Sequence, residues 1–274
     1  MRYQIPRRLT ATFVLVVITS IAVFPQQPPA EKPSPENVAK AEAIISRGIE
    51  VLGGQAYLNV KTVIGRGFYT SFHEGISQDP ARFVDYLSYP DRERTEFTAE
   101  GLRTIQTNTG ETGWLFDGAT KTLSDMKAGQ IDSFKQSMRT SLENLLRGWW
   151  RKENATLSYV GRREAGLGRR NETVRVTYPD GFWVEYEFAA KEGLPEKILF
   201  KTSRTTAEVA VKVDVKEEDR LAKPITISGV TAPWVIDHFI DGVQTSRIAY
   251  ESVEYNSPIA DSLFAKPATI KGLK

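Results

Sequence analysis

The chain has 274 residues, 41% of them hydrophobic and 26% charged, the proportions of a globular protein with a real core. Arg2, Arg7 and Arg8 are the only charges in the first thirty residues; beyond them, 33 basic residues face 34 acidic ones, which leaves no surplus of positive charge for nucleic acid. Cysteine is absent, and with it disulfides, thiolate metal sites, a cysteine nucleophile and lipid attachment through sulfur.

The three arginines precede an apolar run from Ala11 to Phe24, short for a membrane span and of the right length for a signal peptide. The expected organisation is a signal peptide over 1–27, a Pro-rich linker over 28–35 and one domain over 36–274; an uncleaved N-terminal anchor is the alternative. Both send the body to the periplasm, with no stable membrane span once the leader is removed. Ser34 and Pro35 then supply an N-cap and first-turn pair for a helix from Glu36 to Leu52, which Gly53-Gly54 ends.

From Val60 the hydrophobic period changes from 3.6 to 2. Strands are expected over 62–72, 81–90, 92–101, 102–110 and 113–118, with Gly65 and Gly67 on one face of the first, where a strand bends or another backbone approaches closely. Ile131–Trp150 interrupts them as one long amphipathic helix, with Phe134, Met138, Leu142, Leu145, Leu146 and Trp149 on its apolar side and Ser133 and Gln136 at capping-box spacing. Further strands follow over 155–163, 172–181, 182–190, 194–203, 208–218, 224–229, 232–241 and 246–256. Alternation turns Phe182, Val184, Tyr186 and Phe188 inward, together with Val209, Val211, Val213 and Val215, and leaves Glu185 and Glu187 on a wetted face. The fold class is therefore mainly β: an unclosed antiparallel barrel, or strongly curved sheet, of about a dozen strands, with an N-terminal helix and the central helix as a lid.

Catalytic patterns are not evident. His73 and His238 are the only histidines and neither has further ligands at metal spacing; no GxSxG, Walker lysine or dinucleotide-binding glycine pattern occurs. Asp85, Glu93, Glu96, Glu185, Glu187 and Asp214 alternate with apolar residues, as on wetted strand faces. No catalytic residue, metal or cofactor is expected. What remains is an apolar surface between sheet and lid, for which Trp114, Phe116, Phe134, Met138, Leu142, Trp149, Tyr186, Phe188 and Trp234 are the candidate lining.

A series of landmarks runs through this pattern: Gly53-Gly54, Tyr57-Leu58-x-Val60, Gly65-x-Gly67, Pro90 before Arg92 and Arg94, and Gly113-Trp114-x-Phe116-Asp117-Gly118 before the lid. Gly161-Arg162, Gly193-Leu194-Pro195, Gly229-Val230-x-x-Pro233 and Asn256 before Phe264-x-x-Pro267 continue it. In this order they resemble the periplasmic lipoprotein-sorting, or lipoprotein-carrier-like, superfamily, over roughly residues 36–267. The resemblance implies an open barrel whose helices cover a cavity for the acyl chains of a lipoprotein. It also implies a strand arginine that locks the lid, for which Arg94 and Arg103 are candidates by location. The expected function is a non-enzymatic exported binder or carrier of lipid or lipoprotein acyl chains. The alternatives are a sensor that contacts envelope proteins, or an envelope hydrolase with two carboxylates facing each other across a cleft.

Overall fold

A computed structural model describes residues 32–205 and 212–273; the leader, the first half of the linker, and Val209 and Val211 lie outside the described residues. The first helix, α1 (Pro35–Val51), begins as its sequence dictates: the Ser34 hydroxyl accepts from the Asn37 N–H at 3.2 Å, and proline takes the first turn. It buries Ala41, Ile45 and Gly48. It stops at Gly53, whose φ of 119° suits only glycine and where a Cβ would strike the Gly229 carbonyl oxygen. A single turn, α2 (Gln55–Leu58), leads into the sheet.

Seven strands come before the central helices: β1 (Thr62–His73), β2 (Ile76–Ser77), β3 (Ala81–Ser88), β4 (Arg92–Ala99), β5 (Leu102–Thr109), β6 (Gly113–Asp117) and β7 (Thr122–Asp125). Seven come after them: β8 (Thr156–Glu164), β9 (Arg170–Thr177), β10 (Trp183–Ala189), β11 (Pro195–Thr205), β12 (Lys212–Ile227), β13 (Val230–Ile240) and β14 (Val243–Tyr255). They form one antiparallel sheet in the order β7-β6-β5-β4-β3-β1-β14-β13-β12-β11-β10-β9-β8, with β2 folded back on β1. The sheet does not close, since β7 and β8 are its two edges. This is the curved, mainly β architecture expected. Two of the expected strands, 208–218 and 224–229, are parts of the single strand β12, which pairs with β13 past Pro224.

The expected long helix is in fact broken. It comprises α3 (Ala128–Thr140), α4 (Leu142–Leu146) and a 3-10 turn (Trp149–Glu153). Ser141 is extended at ψ 148° and caps α4 by accepting from the Asn144 N–H at 3.1 Å. Capping propensity at Ser141 thus overrides the continuous apolar stripe. The start is also earlier than expected: Gln130 accepts from the Lys127 N–H, while Ser133 sits inside the helix and donates to the Gly129 carbonyl. Tyr186 and Tyr178 donate to the Arg139 carbonyl, and Tyr186 also to that of Ser141, so hydroxyls of the sheet satisfy the backbone freed by the break.

The main core lies where α1 and α4 cover β8–β11, with Ile45, Leu142, Leu145, Val174, Val184 and Phe188 among its buried members. The opposite face is not wetted as the alternation implied. Glu185 and Glu187 are only 1% and 2% exposed, because Arg163 spans both, Arg175 pairs with Glu185, and Asn171 donates to Glu187. Long arginine stems cover the carboxylates they neutralise. Val213, though in register with the inner face, is 43% exposed near the start of β12.

His238 on β13 is held by two acids of β12, with Nδ1 2.6 Å from Asp219 and Nε2 3.3 Å from Glu217. These hydrogen bonds push its pKa up to about 9, against 6.5 for a free imidazole. A folded value above the unfolded one stabilises fully below about pH 6.5 and ceases to as pH rises through about 9. His238→Gln should therefore lower stability by on the order of 2 kcal/mol at pH 6 and by little at pH 10, as read from paired thermal melts at the two pH values.

Candidate ligand cavity

The inner face of β1, β3, β4, β13 and β14 is where the side chains leave room. Gly65 and Gly67 of β1 begin this, as the sequence suggested. A Cβ on Gly65 would lie 2.7 Å from the Tyr250 ring, and one on Gly67 would meet the Ala249 carbonyl. The β1–β14 register shifts at Arg66/Gly67, so the strand bends here. Tyr250 fills the space and packs edge-on against Phe83, with centroids 5.5 Å apart.

Beyond it lies a cavity of about 320 Å³ between the sheet and the helices. Ile236, Ile248, Val253 and Tyr255 give its floor, Tyr89 and Trp149 one wall, and Phe134 and Met138 of α3 its roof. A second, more open groove of about 670 Å³ runs along the other flank of α3 and shares Pro90, Phe134, Met138 and Trp149 with the first. Helix α3 is therefore a bar with free space on both sides.

Polar contacts fasten that bar at its C-terminal end. Arg139 donates to Glu153 at 2.8 Å and to Asp180 in the β9–β10 turn at 2.6 Å, and lies 4.5 Å from the Tyr178 ring. Arg147, after α4, donates to the Tyr57 and Leu58 carbonyls at 2.9 and 3.0 Å. Its guanidinium rests among the rings of Tyr57, Tyr89 and Trp149. Arg139 is about a third exposed, so its two pairs are worth about 1 kcal/mol together. Arg139→Ala should thus leave the melting temperature within a few degrees while making amide exchange over 128–140 several-fold faster, as read by hydrogen-exchange mass spectrometry.

The candidate lining divides. Phe134, Met138 and Trp149 do meet at the cavity. Leu142, Tyr186 and Phe188 belong instead to the buried core beneath α1 and α4 and line neither of these two spaces. Trp114 and Phe116 lie on the opposite face: in register with Thr107, Arg94, Tyr86 and Ile64, Trp114 points away from the lid. The C-terminal segment covers them there. Leu273 packs on both, and the Trp114 indole donates to the Phe264 carbonyl at 2.9 Å. Trp234, half-buried on β13, lies outside the cavity lining. Arg94 and Arg103 cannot lock the lid, because both pair with Glu96 on the outer face and Arg94 also donates to the Leu263 carbonyl.

The polar half of the cavity went unread. Asp85 of β3 and Glu93 of β4 line it, and the Thr95 hydroxyl reaches both, at 2.8 and 3.3 Å. Burial, and for Asp85 also the neighbouring Glu93, raises both carboxyl pKa values above the usual range. Glu143 of α4 adds a third carboxyl to the lining. Burial foremost, with Glu143 as a second cause, raises the Tyr57 and Tyr89 hydroxyls. The signal was present in the alternation, since Asp85 shares its face with Phe83 and Leu87.

No protein-family model matches the chain, and no curated protein matches it in sequence. Solved structures do resemble it. A DUF1329 family protein from Desulfovibrio piger superposes with a TM-score of 0.56 at 10% identity, over 82% of this chain and 97% of that one. An outer membrane lipoprotein-sorting protein domain from Vibrio parahaemolyticus gives 0.54 at 9%, over 81% and 97%. A LolA superfamily protein from Nitrosomonas europaea gives 0.54 at 12%, over 82% and 97%. At these identities the likeness concerns the fold: the chain has the architecture of the lipoprotein-sorting structures.

Proposed function

We propose that this protein is an exported, non-enzymatic binder or carrier of a lipid, or of the acyl chains of a lipoprotein, in the bacterial envelope. The guest lies between the curved sheet and α3. The observation that carries this reading is the cavity of about 320 Å³ under a helix that touches it through Phe134 and Met138. Apolar walls favour an alkyl guest by roughly 0.8 kcal/mol for each methylene removed from water. Space on both flanks of α3 gives a chain room to enter without unpacking α4. The shared fold with a lipoprotein-sorting domain supports the same reading. So does the apolar run from Ala11 to Phe24 behind three arginines, which we read as a signal peptide.

Asp85 and Glu93 are not placed as a glycosidase pair. A glycosidase pair flanks its substrate from opposite sides, whereas Asp85 and Glu93 stand on adjacent strands, on one face, sharing a single hydroxyl.

Native purification from the host, followed by lipid extraction and mass spectrometry, tests the proposal. A stoichiometric lipid or acylated peptide is the expected result. Protein that is free of lipid and also takes up no added acyl probe would overturn it. Met138→Glu places a charge on the half-buried roof. It should weaken binding of a fluorescent acyl probe at least tenfold while the far-ultraviolet circular dichroism stays that of the unaltered protein, since the residue can turn toward the open groove on the other flank.

A further inference from the structure

The cavity holds more acid than an acyl chain needs. Asp85, Glu93 and Glu143 all line it, and among the described residues none of the three is in an ion pair. Of the two arginines in the lining, Arg92 is committed to Asp261 and Ser88, and Arg147 gives its two terminal nitrogens to the carbonyls of residues 57 and 58, its Nε being without a partner. A second feature points the same way. Tyr57 lines the cavity, is only 6% exposed, and its hydroxyl has no hydrogen-bond partner. Two buried carboxyls that share the one Thr95 hydroxyl, and a buried tyrosine hydroxyl without a partner, cost stability, and a donor arriving with the guest would offset that cost.

We propose that the preferred guest is an amphiphile with a protonated amine, its ammonium group placed at Asp85 and Glu93 and its alkyl chain under α3. The inference rests on the binding function above and narrows it to a ligand class. An ammonium supplies three N–H donors to groups that can only accept once ionised, and its charge is strongest against carboxylates in a dry, apolar setting. Aromatic faces complete the site. The rings of Tyr57, Tyr89 and Trp149 already hold one cation, Arg147, and Tyr250 stands beside the acid pair, whose charges both act on it. A divalent metal is a poorer match, because it needs three or more oxygen ligands converging on one point, and no such group occurs among the described residues.

The test uses the purified mature protein and three probes of one chain length, dodecylamine, dodecanol and dodecanoate, titrated calorimetrically below their aggregation limits at pH 7 and physiological salt. Dodecylamine should bind at least tenfold more tightly than either of the others. In the isosteric double variant Asp85→Asn/Glu93→Gln that preference should vanish while dodecanol binding persists. Equal binding of all three by the unaltered protein would overturn the amine inference and leave the acyl-binding reading intact. Binding of none would overturn both. Retention of the amine preference in the double variant would overturn the assignment to these two acids. The comparison of probes needs no variant, so it stands even if the substituted protein folds poorly.

Discussion

Leu142→Glu should unfold this protein rather than merely empty its cavity. Leu142 is the first residue of α4, 8% exposed, and packs in the core cluster that α1 and α4 form over β8–β11. Removing its side chain from that core costs about 2–5 kcal/mol. A carboxylate in its place would be buried among apolar side chains, which adds several kcal/mol or forces protonation. A total of about 5 kcal/mol or more is comparable with the whole stability of many domains. Urea unfolding should show a lost or strongly shifted transition, and the near-ultraviolet signal of the buried aromatics should collapse. Met138→Glu, four residues earlier, should keep both. A Leu142→Glu variant that melts normally would mean that α4 moves with the lid and is not part of the fixed core.

Gly67→Ala should be the most damaging change that a single methyl can make in the sheet. The added carbon would run into the Ala249 carbonyl and lie 2.8 Å from the Tyr250 Cα. Both obstacles are backbone of the paired strand β14, so no rotamer change relieves them. Accommodation requires β1 and β14 to separate at their register shift. That sacrifices ladder hydrogen bonds and costs about 3 kcal/mol. Gly65→Ala meets only the edge of the Tyr250 ring, which can turn into the cavity. It should cost less stability and more binding. Thermal melts of the two variants, set beside acyl-probe titrations, should rank them in opposite orders.

Local chemistry was legible wherever one residue decides the backbone. Ser34-Pro35 and Gly53-Gly54 marked the ends of α1 closely, and Gly65 and Gly67 announced the close approach of another strand before that strand was known. The break at Ser141 had its own local sign, a serine within an apolar stripe, which the periodicity of the stripe concealed. Faces were harder. Period-2 alternation separates Trp114 and Phe116 from Leu115 but does not say which side looks toward the helices. Residues some 150 positions later in the chain, Phe264 and Leu273, decide that the large side is the outer one. In the same way, nothing local to β10 shows that arginines from β8 and β9 would shelter Glu185 and Glu187. Of the nine expected lining residues, Trp114 and Phe116 lie away from the cavity for this reason. Phe134 and Met138, ahead of the break at Ser141, stand at the cavity because the helical period of α3 sets their side.

The sheet order has a consequence for how the molecule could be rewired. Read from one edge to the other, β8 to β14 and then β1 to β7 follow each other as nearest neighbours, apart from the small β2 flap. A gene permuted so that β14 ran directly into β1 would therefore encode an uninterrupted up-and-down meander. Like α1, α2 and the C-terminal segment, the piece from Met126 to Ala155 has no place in that series. It is the tether between the two ends of an open sheet. Shortening it would draw the seam together, while α4 within it stays anchored in the core over β8–β11.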